Sequence, residues 1–189
     1  MSVTIVAKGD SVQLRGKNAM SKALIGLGWN PNEGQSNHAF DLDASVVGRD
    51  AAGNTVVVCY YHDKDPAPFI QHTGDNLTGE GDGDDEQVQV DLSQVPANVV
   101  ALDVVVHIYE GENRGQSFGM VDDAFVRLVN EESGNEIRYD LAKADVFSEV
   151  ALYFARIRRD GPIWAFDALG QFGPQYSTLE KFSNCVLPA

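Results

Sequence analysis

The sequence predicts a mainly β fold, a β-sandwich of two mostly antiparallel sheets with a few short helices. Three observations carry this. Apolar residues come in short runs rich in Val, Ile, Phe and Tyr instead of long stretches of helical period. Turn-forming clusters separate the runs at near-regular intervals. Within several runs apolar residues alternate, as in Val88, Val90, Leu92 and in Val150, Leu152, Phe154, so that one face of each strand can pack on a second sheet.

In chain order, strands are predicted at 3–7, 12–14, 23–29, 40–47, 55–61, 88–92, 99–109, 124–129, 137–141, 150–157 and 163–169. Asn32-Glu33-Gly34 closes the third, and Asp50 to Asn54, with Gly53, turns the chain between the fourth and fifth. Ser133-Gly134-Asn135 and Asp160-Gly161-Pro162 mark hairpins near the C-terminal end. Helical pattern is limited to a short turn at 93–95, to 116–123 and to the tail at 178–185. There is no internal repeat, low-complexity tract or long linker. With 189 residues, 43% of them hydrophobic, the expectation is a single domain over 1–189 with a sizeable core.

Fourteen basic against 28 acidic residues give a net charge of −14. Nucleic acid and anionic membrane require a basic footprint and are excluded as main partners. No run reaches the roughly 18 apolar residues of a membrane span, and Met1 to Asp10 lacks the pattern of a signal peptide, so the expected location is cytoplasmic. Cys59 and Cys185 are too few for a disulfide framework and form no CxxC pair.

The negative charge is concentrated. Between Lys64 and Arg114 there is no Lys or Arg, while the stretch holds Asp65, Asp75, Glu80, Asp82, Asp84, Asp85, Glu86, Asp91, Asp103, Glu110 and Glu112. Such an excess repels itself unless solvated or neutralised by a counter-ion. The segment 72–86 interleaves its acids with Gly74, Gly79, Gly81 and Gly83, which reads as a shaped loop between strands. A glycine-rich acidic loop supplies carboxylate, amide and backbone oxygens, the ligands a hard cation such as calcium takes. Asp75 and Glu86 bound a twelve-residue window, as in an EF-hand, but Leu77, Gly79 and Glu80 break that pattern and the flanks read as strands.

Two further elements add carboxylates. In Phe40-Asp41-Leu42-Asp43 strand alternation turns Phe40 and Leu42 to the core and leaves Asp41 and Asp43 on the other face, half of a cation site or an ordinary solvent-facing pair. Glu110, at the end of the long apolar strand, is within reach of the same end of the sandwich, or is a solvated strand-end acid. The loop has no base to hold a phosphate. His38, His62, His72 and His107 lack zinc-ligand spacing, and no serine sits in a nucleophile elbow.

Taken together, Gly26-Leu27-Gly28-Trp29, Phe40 to Ser45, the acidic segment 74–86, Arg114-Gly115-Gln116-Ser117-Phe118, Ala124 to Asn130, Arg138 to Leu141 and Ala168 to Gln171 resemble, in order, the TerD family of tellurium-resistance and stress proteins. The resemblance spans nearly the whole chain. It implies a calcium-binding β-sandwich in a cytoplasmic bacterial protein linked to tellurite resistance and stress, acting as a non-enzymatic binding or scaffold module. Carried over residue by residue, it makes Asp41, Asp43, Asp75, Asn76, Asp82, Asp84, Asp85, Glu86 and Glu110 the metal-ligating set, for two calcium ions, and leaves Glu80 solvated. Its implied partners are paralogues or a membrane-associated resistance complex. Two other functions stay open: a metal-dependent hydrolase using Asp41, Asp43 and Asp75 with His62 or His72 as base, and a module that binds a nucleotide through calcium. The chain departs from the family pattern at Tyr60-Tyr61-His62-Asp63, at Asp65-Pro66-Ala67-Pro68 and in the tail at 171–176.

Overall fold

A computed structural model describes residues 1–30, 36–81, 83–141 and 148–187. Among the described residues twelve strands form two six-stranded sheets. The first sheet runs β1 (Val3–Val6), β10 (Glu136–Asp140), β9 (Asp122–Asn130), β3 (Lys22–Asn30), β7 (Glu86–Asp91), β6 (Ile70–His72). The second runs β2 (Ser11–Leu14), β12 (Ile163–Gln171), β11 (Ala151–Asp160), β8 (Ala101–Ile108), β4 (Leu42–Arg49), β5 (Thr55–Cys59). All pairings are antiparallel except β1 with β10, which bears out the predicted sandwich. Among the described residues no helix is long and apolar enough to cross a membrane.

The core lies between the sheets and is filled by the alternating residues the sequence marks. Ala23, Ile25, Leu27 and Trp29 of β3 face Val46, Val104, Leu152 and Phe154 of the second sheet within one buried cluster. β7 shows the period-two pattern most plainly: Glu86, Val88 and Val90 are buried, whereas Gln89 between them is exposed. β4, by contrast, is buried along its whole length. Its inner side chains enter the core, and much of its outer face lies beneath the C-terminal segment.

That segment docks through aromatic residues. α2 (Leu179–Asn184) starts at Thr178, whose hydroxyl accepts from the Lys181 N–H at 3.1 Å. It lays Phe182 on Tyr153 and Tyr176 in edge-to-face contacts at 5.1 and 5.6 Å, over Val47 and Val105. Beneath them Asp103 is fully buried and accepts from Arg49 Nε at 3.1 Å, Arg156 Nε at 2.7 Å and the Tyr153 hydroxyl at 2.6 Å. Arg49 also donates to the carbonyls of Phe182, Ser183 and Cys185, closing the end of α2. His107, half-buried next to Tyr176, places Nε2 2.9 Å from the Tyr176 carbonyl, and desolvation lowers its pKa to about 4. It is therefore neutral, with the proton on Nε2.

Three expectations change. β6 has only three residues, one of them polar and exposed, behind the proline-rich turn 65–68, too little pattern to mark a strand. The helix expected at 116–123 is a 3-10 turn at Phe118–Met120 running into β9, whose alternating Ala124, Val126 and Leu128 pull residues 122 and 123 into the sheet. A short α1 (Gly111–Arg114) follows β8 where no helix was expected.

Candidate metal centre

Strand alternation determines where the first two acids go. Phe40, Leu42 and Ala44 are buried in the core, so Asp43 of β4 and Asp41 just before it turn to the outer face, where each is nevertheless only 7% exposed. The loop joining β6 to β7 brings Asp75 to the same place. One carboxylate oxygen from each of Asp41, Asp43 and Asp75 lies within 4.8 Å of the others. Among the described residues no Lys or Arg forms an ion pair with any of the three.

The electrostatic consequence is large. Burial, then the charges of Glu86, Asp41 and Asp75, push the Asp43 carboxyl up to about 8. Asp41 is raised to about 6 by burial and then by Asp75. Arg114 of α1 acts in the opposite direction on both but is outweighed. It stacks on Tyr109 at 5.0 Å and pairs with Glu110 at 3.6 Å, while the Tyr109 N–H donates to the Asp41 carbonyl at 2.8 Å.

Glu86, the first residue of β7, points into the sandwich behind the cluster. Its Oε2 accepts from the Ala44 N–H at 2.6 Å and lies 3.5 Å from His72 Nε2, too far for a strong hydrogen bond. Its Oε1, like Asp41 Oδ1, is buried with no hydrogen-bond partner among the described residues. Burial raises the pKa of Glu86 as well. An orphaned carboxylate oxygen on Asp41, one of three acids that converge, and a second on Glu86 are what a hard cation satisfies, and the all-oxygen donor set fits calcium. Asp41, Asp43 and Asp75, with Glu86 behind them, are the residues that would hold it.

The rest of the expected ligand set is placed differently. Both oxygens of Asp84 accept from Arg127, at 2.7 and 3.0 Å, and Gln87 donates to one of them. Asp85 accepts from the Trp29 N–H at 2.9 Å and from the Asn76 amide at 2.9 Å. The Asn76 oxygen in turn accepts from the N–H groups of Thr78 and Gly79. These three shape the loop. Glu110 is half exposed and turned to Arg114, Glu80 is exposed, and Asp82 lies outside the described residues.

With this geometry in view, comparison with known proteins gives the lineage. The family model of the TerD domain matches residues 1–181. The chain belongs to the TerD domain family. It is 44% identical over 171 residues, 87% of this chain and 88% of the relative, to general stress protein 16U of Bacillus subtilis (strain 168). It is 40% identical over 178 residues, 90% of each chain, to tellurium resistance protein TerD of an Alcaligenes species. A solved structure of a homologue of telluride resistance protein (TerD) from Streptomyces coelicolor A3(2) matches with a TM-score of 0.68 over 88% of this chain and 96% of that one; at 18% identity the likeness is one of fold.

In this TerD domain the separate motifs prove to be one construction. Trp29 ends the Gly26-Leu27-Gly28-Trp29 run, donates from its indole to the Phe40 carbonyl at 3.0 Å, and so ties β3 to the start of the Asp41/Asp43 pair. Gly26 and Gly28 let the acidic loop lie on the outer face of β3. A Cβ at Gly26 would stand 2.3 Å from the Asp84 carboxyl, and one at Gly28 2.4 Å from the Phe125 ring and 2.6 Å from the Gly83 carbonyl. Gly26→Ala is therefore expected to expel Asp84 from Arg127 and lower stability by about 1–3 kcal/mol, read by chemical denaturation. A melting curve unchanged within a degree would overturn this. Sequence reasoning missed the action of Arg114 on Asp41 and Asp43; beyond its place in the Arg114-to-Phe118 motif, its signal is the spacing of four from Glu110, the residue before α1.

Proposed function

We propose that this TerD domain is a calcium-binding stress-response module that works by engaging protein partners, paralogues or a membrane-associated complex, and not by catalysis. The observation that carries the reading is the convergence of Asp41, Asp43 and Asp75 within 4.8 Å at a spot where two of the three are buried. A bound ion would neutralise acids that otherwise repel one another and would tether the acidic loop to β4. Two features speak against chemistry on this chain. His72, one of the two candidate bases of the hydrolase alternative, is buried beside Glu86 and sealed from a substrate. Cys59 is also buried, and burial pushes its thiol up to about 12, so it is no nucleophile at neutral pH.

Titration calorimetry and thermal melts in calcium against EDTA test the reading. Free calcium at about a hundredfold over Kd should stabilise the fold by roughly 2.7 kcal/mol, or about 5–10 °C in Tm for a chain of this size. Magnesium should do less, because it holds its waters and demands a strict octahedron. The titration also counts ions: the family resemblance implies two, and the described residues form one cluster. Absence of both heat and a melting shift would sink the proposal.

A further inference from the structure

The four sheet edges are not equally protected against pairing with another chain. β6 is three residues long and follows the proline-rich turn, β5 carries α2 against it, and β2 is bracketed by Asp10 and Arg15. Among the described residues β1 has none of these guards. Residues 1–7 carry no charged side chain, and Val3 and Ile5 are 58% and 62% exposed on the outer face of the first sheet.

The backbone there is also open. β1 runs parallel to β10 with Val3 beside Glu136 and Ile5 beside Arg138, and the Glu136 N–H donates to the Ser2 carbonyl. In such a parallel ladder Ser2, Thr4 and Val6 direct their N–H and C=O groups to β10, and those of Val3 and Ile5 point to the free edge. Four backbone groups are thereby presented in one plane.

We infer that this edge is a self-association surface, on which β1 of a second copy pairs antiparallel about a two-fold axis at Thr4 and continues the sheet. In that register Val3 exchanges two hydrogen bonds with Ile5 of the second copy, Ile5 does the same with Val3, and the four apolar side chains meet on one face. Each row across the junction reads Glu136, Val3, Ile5, Arg138, one acid and one base. A register shifted to pair Val3 with Val3 would put two Glu136 residues in one row. Glu136 is already bonded to Arg127 and Arg138 to Asp140, so pairing strands no lone charge.

Net charge does not forbid the approach. The acidic loop crosses the outer face of the first sheet to β9, where Arg127 pairs with Asp84, and β10 stands between β9 and β1. Residues 1–22 hold Lys8, Arg15, Lys17 and Lys22 against the single acid Asp10. A four-residue edge buries less than the roughly 1,200 Å² of a stable interface, so the dimer is a weak one.

Sedimentation velocity on the whole chain between about 10 μM and 1 mM tests the inference. The mass should rise toward twice the monomer in the wild type. Ile5→Lys should remain monomeric, as should Val3→Pro, which removes an outward N–H without touching the ladder to β10, and both should melt as the wild type does when dilute. A wild type monomeric at 1 mM, or variants that associate equally well, would overturn it.

Discussion

Asp103→Ala is expected to cost about 3–5 kcal/mol and to lower Tm by roughly 10 °C or more, a large part of the 5–15 kcal/mol that holds a domain folded. One fully buried carboxylate serves Arg49 and Arg156 together, and Arg49 is itself 1% exposed. Removing the acid takes from both cations the carboxylate they share beneath the aromatic cover of Tyr153, Tyr176 and Phe182, and leaves Arg49 with carbonyls, the Thr55 hydroxyl and the Phe182 ring. Arg49 then either pulls away, releasing the three carbonyls at the end of α2, or stays as an uncompensated buried charge. Asp103→Asn keeps the acceptor and should lose less. The double variant Arg49→Met/Asp103→Leu should be more stable than Asp103→Ala, since it removes a cation along with its partner. Thermal and urea denaturation of the three decide it. An Asp103→Ala protein melting within about 2 °C of wild type would show that the docked tail does not depend on this cluster.

That cluster was invisible in the sequence, whereas the sandwich was not, and the difference is physical. Val88, Val90 and Leu92 announce a half-buried strand because period two is local and needs no partner to be seen. Asp103 interrupts Ala101-Leu102-Asp103-Val104 as one acid in an apolar strand; its meaning depends on Arg49 and Arg156, which lie 54 and 53 residues away. The candidate site divides the same way. Asp41 and Asp43 were legible because alternation puts them on one face, and Asp75 because a glycine-rich acidic loop must fold back on something. The motif groups Asp84 with the ligands, but its carboxyl is bonded to Arg127, which comes from another strand. A run of acids in one loop gives their density; only the fold shows which of them converge with Asp41 and Asp43 and which are bonded to guanidinium groups or the backbone.

Asp43→Asn is expected to separate stability from calcium affinity, and the pH dependence of the wild type gives the reason. Unfolded, Asp43 ionises near 3.8; folded and metal-free, it ionises near 8. Between these values the folded state holds a proton that the unfolded chain has released, so the stability of the metal-free protein falls as pH rises from about 4 to about 8. Asp41 adds a limb of the same sign between 3.8 and about 6. Calcium requires the ionised forms, so its affinity should climb with pH across 6 to 8 and its binding should release protons at pH 7. Asparagine at position 43 carries no charge to bury. The variant should therefore melt higher than wild type at pH 8 without calcium, lose most of the decline between pH 5 and 8, and bind calcium at least about tenfold more weakly, or 1.4 kcal/mol. Melts at pH 5, 6.5 and 8 with calcium or EDTA, and calorimetry in two buffers of different ionisation enthalpy, read all three effects. A metal-free wild type whose Tm is flat over that range, or calcium binding that releases no proton, would mean that the carboxyls of this site are already ionised and that repulsion among them is not what the ion relieves.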